Sequence, residues 1–75
     1  MNLNEVKTGL HVRTVGDLGD TEGMLIAKKH LDARRPYAVG VVWGYVPGHG
    51  GDVWWIKHED GTIGAYMYDE FKAEQ

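Results

Sequence analysis

Apolar and polar positions alternate with period two over several short stretches of this chain, separated by glycine-rich and charged segments. Leu10, Val12 and Thr14 alternate with His11, Arg13 and Val15, which predicts a first strand over 10–15 with one mixed face. The first nine residues read as a lead-in. Gly16 to Gly23 holds three glycines and three acids and reads as a loop, with Leu18 as its one apolar anchor. A second strand, Met24 to Ala27, runs into the polar stretch Lys28 to Pro36. That stretch reads as a connection or a wide, ragged hairpin. Any helix within it is short and weakly amphipathic, because Pro36 ends it and biases Arg35 toward extended backbone.

Tyr37 to Val46 carries the strongest strand signal. Tyr37, Val39, Val41, Trp43 and Tyr45 share one face, and Ala38, Gly40, Val42, Gly44 and Val46 share the other. Large residues opposite small ones suit a strand bent sharply over a small barrel. Pro47 to Asp52 is a turn cluster. Val53 to His58 forms a further strand and Ile63 to Tyr68 another, joined at Asp60-Gly61. Two registers satisfy that turn. A two-residue turn sets His58 opposite Ile63, whereas a glycine bulge sets His58 opposite Thr62 and Trp54 opposite Tyr66. Asp69 to Lys72 makes one helical turn that docks Phe71 on the core. Five short strands without a long helix predict an all-β, partly open, five-stranded barrel with a short C-terminal helical turn. It forms one domain over 1–75, with a core of about residues 9–71.

The order of these elements resembles an SH3-like barrel of the Tudor, KOW and Mind-bomb type. Gly9-Leu10-His11-Val12-Arg13 stands as a first strand followed by an acidic loop. Gly23-Met24-Leu25-Ile26 and Val39-Gly40-Val41-Val42-Trp43 stand as the second and third. The hairpin Val53-Trp54-Trp55-Ile56-Lys57-His58-Glu59-Asp60-Gly61, followed by Gly64-Ala65-Tyr66-Met67-Tyr68, carries most of the likeness. The resemblance implies a small binding module. A second resemblance, to the plasmid-type dihydrofolate reductases, rests on Ile63-Gly64-Ala65-Tyr66. Only Tyr66 matches the Val-Gln-Ile-Tyr segment of that family. Gly64 and Ala65 replace the glutamine and isoleucine, so that activity is not expected.

Composition narrows the chemistry. With 75 residues the chain buries only roughly 60% of the surface its unfolded form exposes, so its stability margin is thin. Eight basic against eleven acidic side chains give a net charge of -3, which argues against a chain acting mainly as a polycation on nucleic acid or membrane. It holds neither cysteine nor serine, and its four histidines lack any ligand spacing. The Pro47 to Asp52 loop lacks both the following helix and the Lys-Ser/Thr pair of a phosphate loop. No enzyme, cofactor or metal is therefore expected. No apolar run approaches the ~20 residues of a membrane span, and the cytoplasm is the default location.

Two surfaces remain as candidates. The first is an aromatic patch of Trp43, Tyr45, Trp55 and Tyr66 beside the acids Asp17, Asp20 and Glu22, fit for a protein or peptide partner with basic character. Its competitor is a set of rings that merely cover a small core. In the patch reading Trp54 and Ile56 point inward and Trp55 outward, with a tyrosine near it across the hairpin. The second is a nucleic-acid edge of the KOW kind formed by Lys28, Lys29, Arg34 and Arg35, which with their neighbours hold four of the eight formal positive charges. Its competitor is a solvated loop or an edge protected by lysines.

Overall fold

A computed structural model describes residues 6–21, 26–46 and 52–74. Strand β1 is His11–Thr14, a short helix α1 is Lys28–Asp32, and the long strand β2 is Val39–Val46. Strands β3, Val53–His58, and β4, Ile63–Met67, follow as a hairpin. A 3-10 turn over Tyr68–Glu70 leads into β5, Phe71–Ala73. All pairings are antiparallel and the sheet order is β4-β3-β2-β1-β5, open between its two end strands. The fold is thus all-β, five-stranded and partly open, but the five strands are not the five expected. Leu25 and the residues just before it lie outside the described residues, and Ile26 and Ala27 are not strand. The fifth strand comes instead from the tail, where Phe71–Ala73 pairs with Thr14, Arg13 and Val12. The expected helical turn is displaced to Tyr68–Glu70 for the same reason. The polar stretch after Ala27 does hold a helix, and it buries no residue of its own, in keeping with its weak amphipathicity.

The core draws on every strand. Val12, Val42, Trp54, Ile56, Tyr66 and Phe71 form one buried cluster, with Val6, Leu10, Leu18 and Tyr68 packed against it. The lead-in therefore reaches the core through Val6. Gly40 is required where β2 crosses β3, because a Cβ there would lie 2.6 Å from Cγ2 of Ile56 and 2.8 Å from the Lys57 carbonyl. The register then shifts between Val42 and Gly44, leaving Trp43 as an extra residue. This bulge reverses the parity of β2. Val42 pairs with Ile56 on the core side, yet Tyr45, three residues on, pairs with Trp54 and shares its side.

Buried polar groups tie the long β1–β2 connection to this sheet. The Thr14 hydroxyl donates to the Arg35 carbonyl and accepts from the Ala38 N–H at 2.8 Å, holding the turn in which Tyr37 takes a left-handed φ of 56°. Arg34 and Glu70 form a two-pronged ion pair, with Nη1–Oε1 at 2.8 Å and Nη2–Oε2 at 2.6 Å, and both side chains are nearly inaccessible. Their remaining capacity goes to backbone. Arg34 donates to the carbonyls of Ala65 and Gly19, and Glu70 accepts from the N–H groups of Met67 and Gly19. Among the described residues no buried side-chain nitrogen or oxygen lacks a partner.

The hairpin adopts the bulged register. His58 N–H donates to the Thr62 carbonyl, Gly61 has φ of +90°, and Trp54 lies opposite Tyr66. Asp60 braces the turn by accepting from the Thr62 hydroxyl and N–H and by pairing with Arg35, and these bonds, those from Thr62 foremost, hold its carboxyl well below the usual range. Two stability effects follow. Gly61→Val should cost about 1–3 kcal/mol, read as a lowered urea midpoint, because a β-branched residue is strained at positive φ. Arg34→Met, which strands the Glu70 charge in the interior, should cost about 3–5 kcal/mol in the same assay.

Candidate recognition surface

The structure divides the expected aromatic patch. Tyr45 is half exposed and rests on the buried Trp54, with ring centroids 5.0 Å apart. Trp54 in turn meets Tyr68 at 6.3 Å and Phe71 edge-on at 5.9 Å. Trp43 is also half exposed, but the Lys57 ammonium sits 4.7 Å from its ring centroid, on the side of β3 that faces away from Ile56. Trp55 is half-buried, paired with Gly44 and Ala65, and covered by the His30 ring at 4.8 Å. Tyr66 is a correction, because it is fully buried and cannot be a contact residue. The bulged hairpin sets it opposite Trp54 rather than beside Trp55, which carries it into the core.

Tyr66 belongs to a buried polar chain. Its hydroxyl accepts from the Arg35 N–H at 2.7 Å and meets Nε2 of His58 at 2.8 Å. Nδ1 of His58 faces the Val39 carbonyl at 3.4 Å, and a carbonyl only accepts, so Nδ1 carries the proton and Tyr66 donates to Nε2. Burial raises the Tyr66 phenol above its ordinary pKa, against the pull of the nearby Arg34 and Arg35.

Of the acids, Asp52 and Asp69 lie next to Tyr45 and Tyr68, and the expected acidic loop meets the core through Leu18. Asp17 and Asp20 are exposed and flank Leu18, which packs on the core, and Gly19, which is tied to Glu70. Glu22 lies outside the described residues. Asp52, at the start of the β3 segment, is exposed, and the interaction of its carboxylate with the Tyr45 hydroxyl raises the Tyr45 pKa. Asp69 is exposed next to Tyr68. Of these residues, Trp54, Tyr68, Asp52 and Asp69 were not among the expected contacts. No local signal marks them, because the bulge at Trp43 that brings Tyr45 onto Trp54 shows only in the pairing of β2 with β3.

The basic stretch is also divided. Lys28 and Lys29 are exposed on α1. Arg34 is a correction, since its guanidinium is buried against Glu70 and is unavailable to a phosphate. Arg35 is exposed and pairs with Asp60 at 2.7 Å. Among the described residues no cluster of three or more histidines and acids is placed to hold a metal, and no helix is long and apolar enough to cross a membrane. Comparison with known protein families, characterised proteins and solved structures returns no match for this chain.

The Tyr66 phenol gives a pH signature. Its folded pKa is raised, so its contribution to stability is complete below the ordinary value of about 10 and is lost as pH rises from there through the folded value. Urea midpoints measured across the alkaline range should decline for the parent chain. They should decline less steeply for Tyr66→Phe, and equal slopes would refute the assignment.

Proposed function

We propose that this chain is a non-catalytic binding module of the SH3-like kind, and that it recognises a protein or peptide segment of basic character. The observation that carries this reading is Tyr45, half exposed with its ring seated on the buried Trp54. A ring seated on a fixed ring offers contact area at little cost in side-chain freedom. Tyr68 extends the same surface from the 3-10 turn. Asp52 and Asp69 lie beside it, and Asp17 and Asp20 stand on the loop whose Leu18 packs on the same core. This negative charge favours lysine or arginine in the partner and speeds encounter. Trp43 and Trp55 lie away from this surface and are not part of it. The likeness to Tudor, KOW and Mind-bomb modules supports the same class of activity.

The test is a panel of synthetic peptides that combine arginine or lysine with apolar residues, titrated against the protein while tryptophan emission is followed. Peptides that bind should perturb Trp54, and salt should weaken them. Tyr45→Ala should keep the far-ultraviolet spectrum and lose about tenfold or more in affinity, the scale of an interface hot spot. Unchanged affinity in that variant would remove the aromatic surface from the reading. Tighter binding of oligonucleotides than of any peptide would replace the partner class.

A further inference from the structure

A sheet's edge strands carry outward-facing backbone groups, which proteins usually guard with charge, proline, a bulge or brevity. The two edges of this sheet differ. β5 is three residues long and carries Lys72. β4 is Ile63-Gly64-Ala65-Tyr66-Met67, without charge or proline, and it pairs with β3 in unbroken register. The bond from His58 N–H to the Thr62 carbonyl turns the backbone groups of Thr62, Gly64 and Tyr66 toward β3. Those of Ile63, Ala65 and Met67 therefore face outward.

One outward group at each of these three positions is taken by a side chain from elsewhere in the chain. His30 Nδ1 donates to the Ile63 carbonyl at 2.8 Å. Arg34 Nη1 donates to the Ala65 carbonyl at 3.0 Å. Glu70 Oε1 accepts from the Met67 N–H at 2.8 Å. The spacing of the three contacts follows the two-residue repeat of the strand, and together with α1, which packs against β4 and carries His30, they cover this edge, so that Gly64, Ala65 and Tyr66 are buried.

We propose that the β4 edge is a homotypic pairing surface, closed in the monomer by His30, Arg34 and Glu70, and that a second copy of this chain occupies it when that guard is released. Antiparallel pairing of two β4 edges about Ala65 sets alanine against alanine and Ile63 against Met67, so no like charges meet. The same symmetric pairing at β5 would set Lys72 against Lys72. The chemistry of the two edges thus directs self-association to β4, and the guard explains how an uncharged edge is tolerated there.

The test is sedimentation of the full chain. Arg34→Met combined with Glu70→Gln removes both charges together, so no buried charge is left unpaired. The parent should sediment as a monomer, and the double variant should keep its dispersed amide spectrum yet shift to dimers or larger species. Adding Ile63→Pro should restore the monomer, because it removes an outward N–H at the first residue of the strand and leaves the β3 ladder intact. A folded, monomeric double variant overturns the proposal, and so does association that Ile63→Pro fails to suppress. If the double variant does not fold, His30→Ala decides. It uncovers the Ile63 carbonyl without touching the ion pair and should shift the chain toward dimers in a manner Ile63→Pro reverses. No shift in that variant overturns the proposal.

Discussion

Arg34 and Glu70 stand 36 residues apart in the chain and meet as a two-pronged pair from which water is almost wholly excluded. Taking two charges out of water is costly, and their mutual attraction offsets that cost only where the remaining donors and acceptors are also satisfied. Here they are satisfied by backbone from two segments remote in sequence, the acidic loop and β4. Gly19 offers both its N–H and its carbonyl, Ala65 its carbonyl and Met67 its N–H. The pair therefore fixes the acidic loop, the edge of β4 and the 3-10 turn relative to one another. The acidic loop and the 3-10 turn hold few apolar residues of their own, so this pair does much to place them against β4.

The surface proposed for recognition depends on that arrangement. Tyr68 opens the turn that Glu70 closes, and Leu18 precedes the glycine that Glu70 holds. The other half of the surface depends on the bulge at Trp43. Without the extra residue, Tyr45 would stand on the opposite side of the sheet from Trp54. With it, a core tryptophan gains a partly exposed partner. The same ring thus serves the interior and supports the surface. In a domain of 75 residues that double use is economical, because few side chains are available for either task.

Local signals in the sequence carried much of the fold. The β3–β4 hairpin was legible because Asp60-Gly61 and its β-rich flanks act through neighbouring residues alone, and one of the two registers open to it is the one formed. The β2 strand was legible from its length, and Gly40 and Gly44 did mark close backbone approaches, to Ile56 and to Trp55. The strand in the tail leaves no local signal, because Phe71–Ala73 is too short to show a period and its strand identity comes from pairing with β1 across most of the chain. The burial of Tyr66 is not legible in the chain because its side follows from the hairpin register, and the neutralisation of Arg34 is not legible because its carboxylate is distant in sequence.

By itself, then, the sequence determined the fold class, the central hairpin and the residues able to form a surface, because alternation and turn chemistry operate within a few residues. Only the tertiary structure decided which aromatic rings are interior and which cations are already neutralised. Those outcomes depend on one inserted residue in β2 and on an ion pair between remote segments. Neither a change of strand parity nor a contact across 36 residues leaves a periodic trace in the chain.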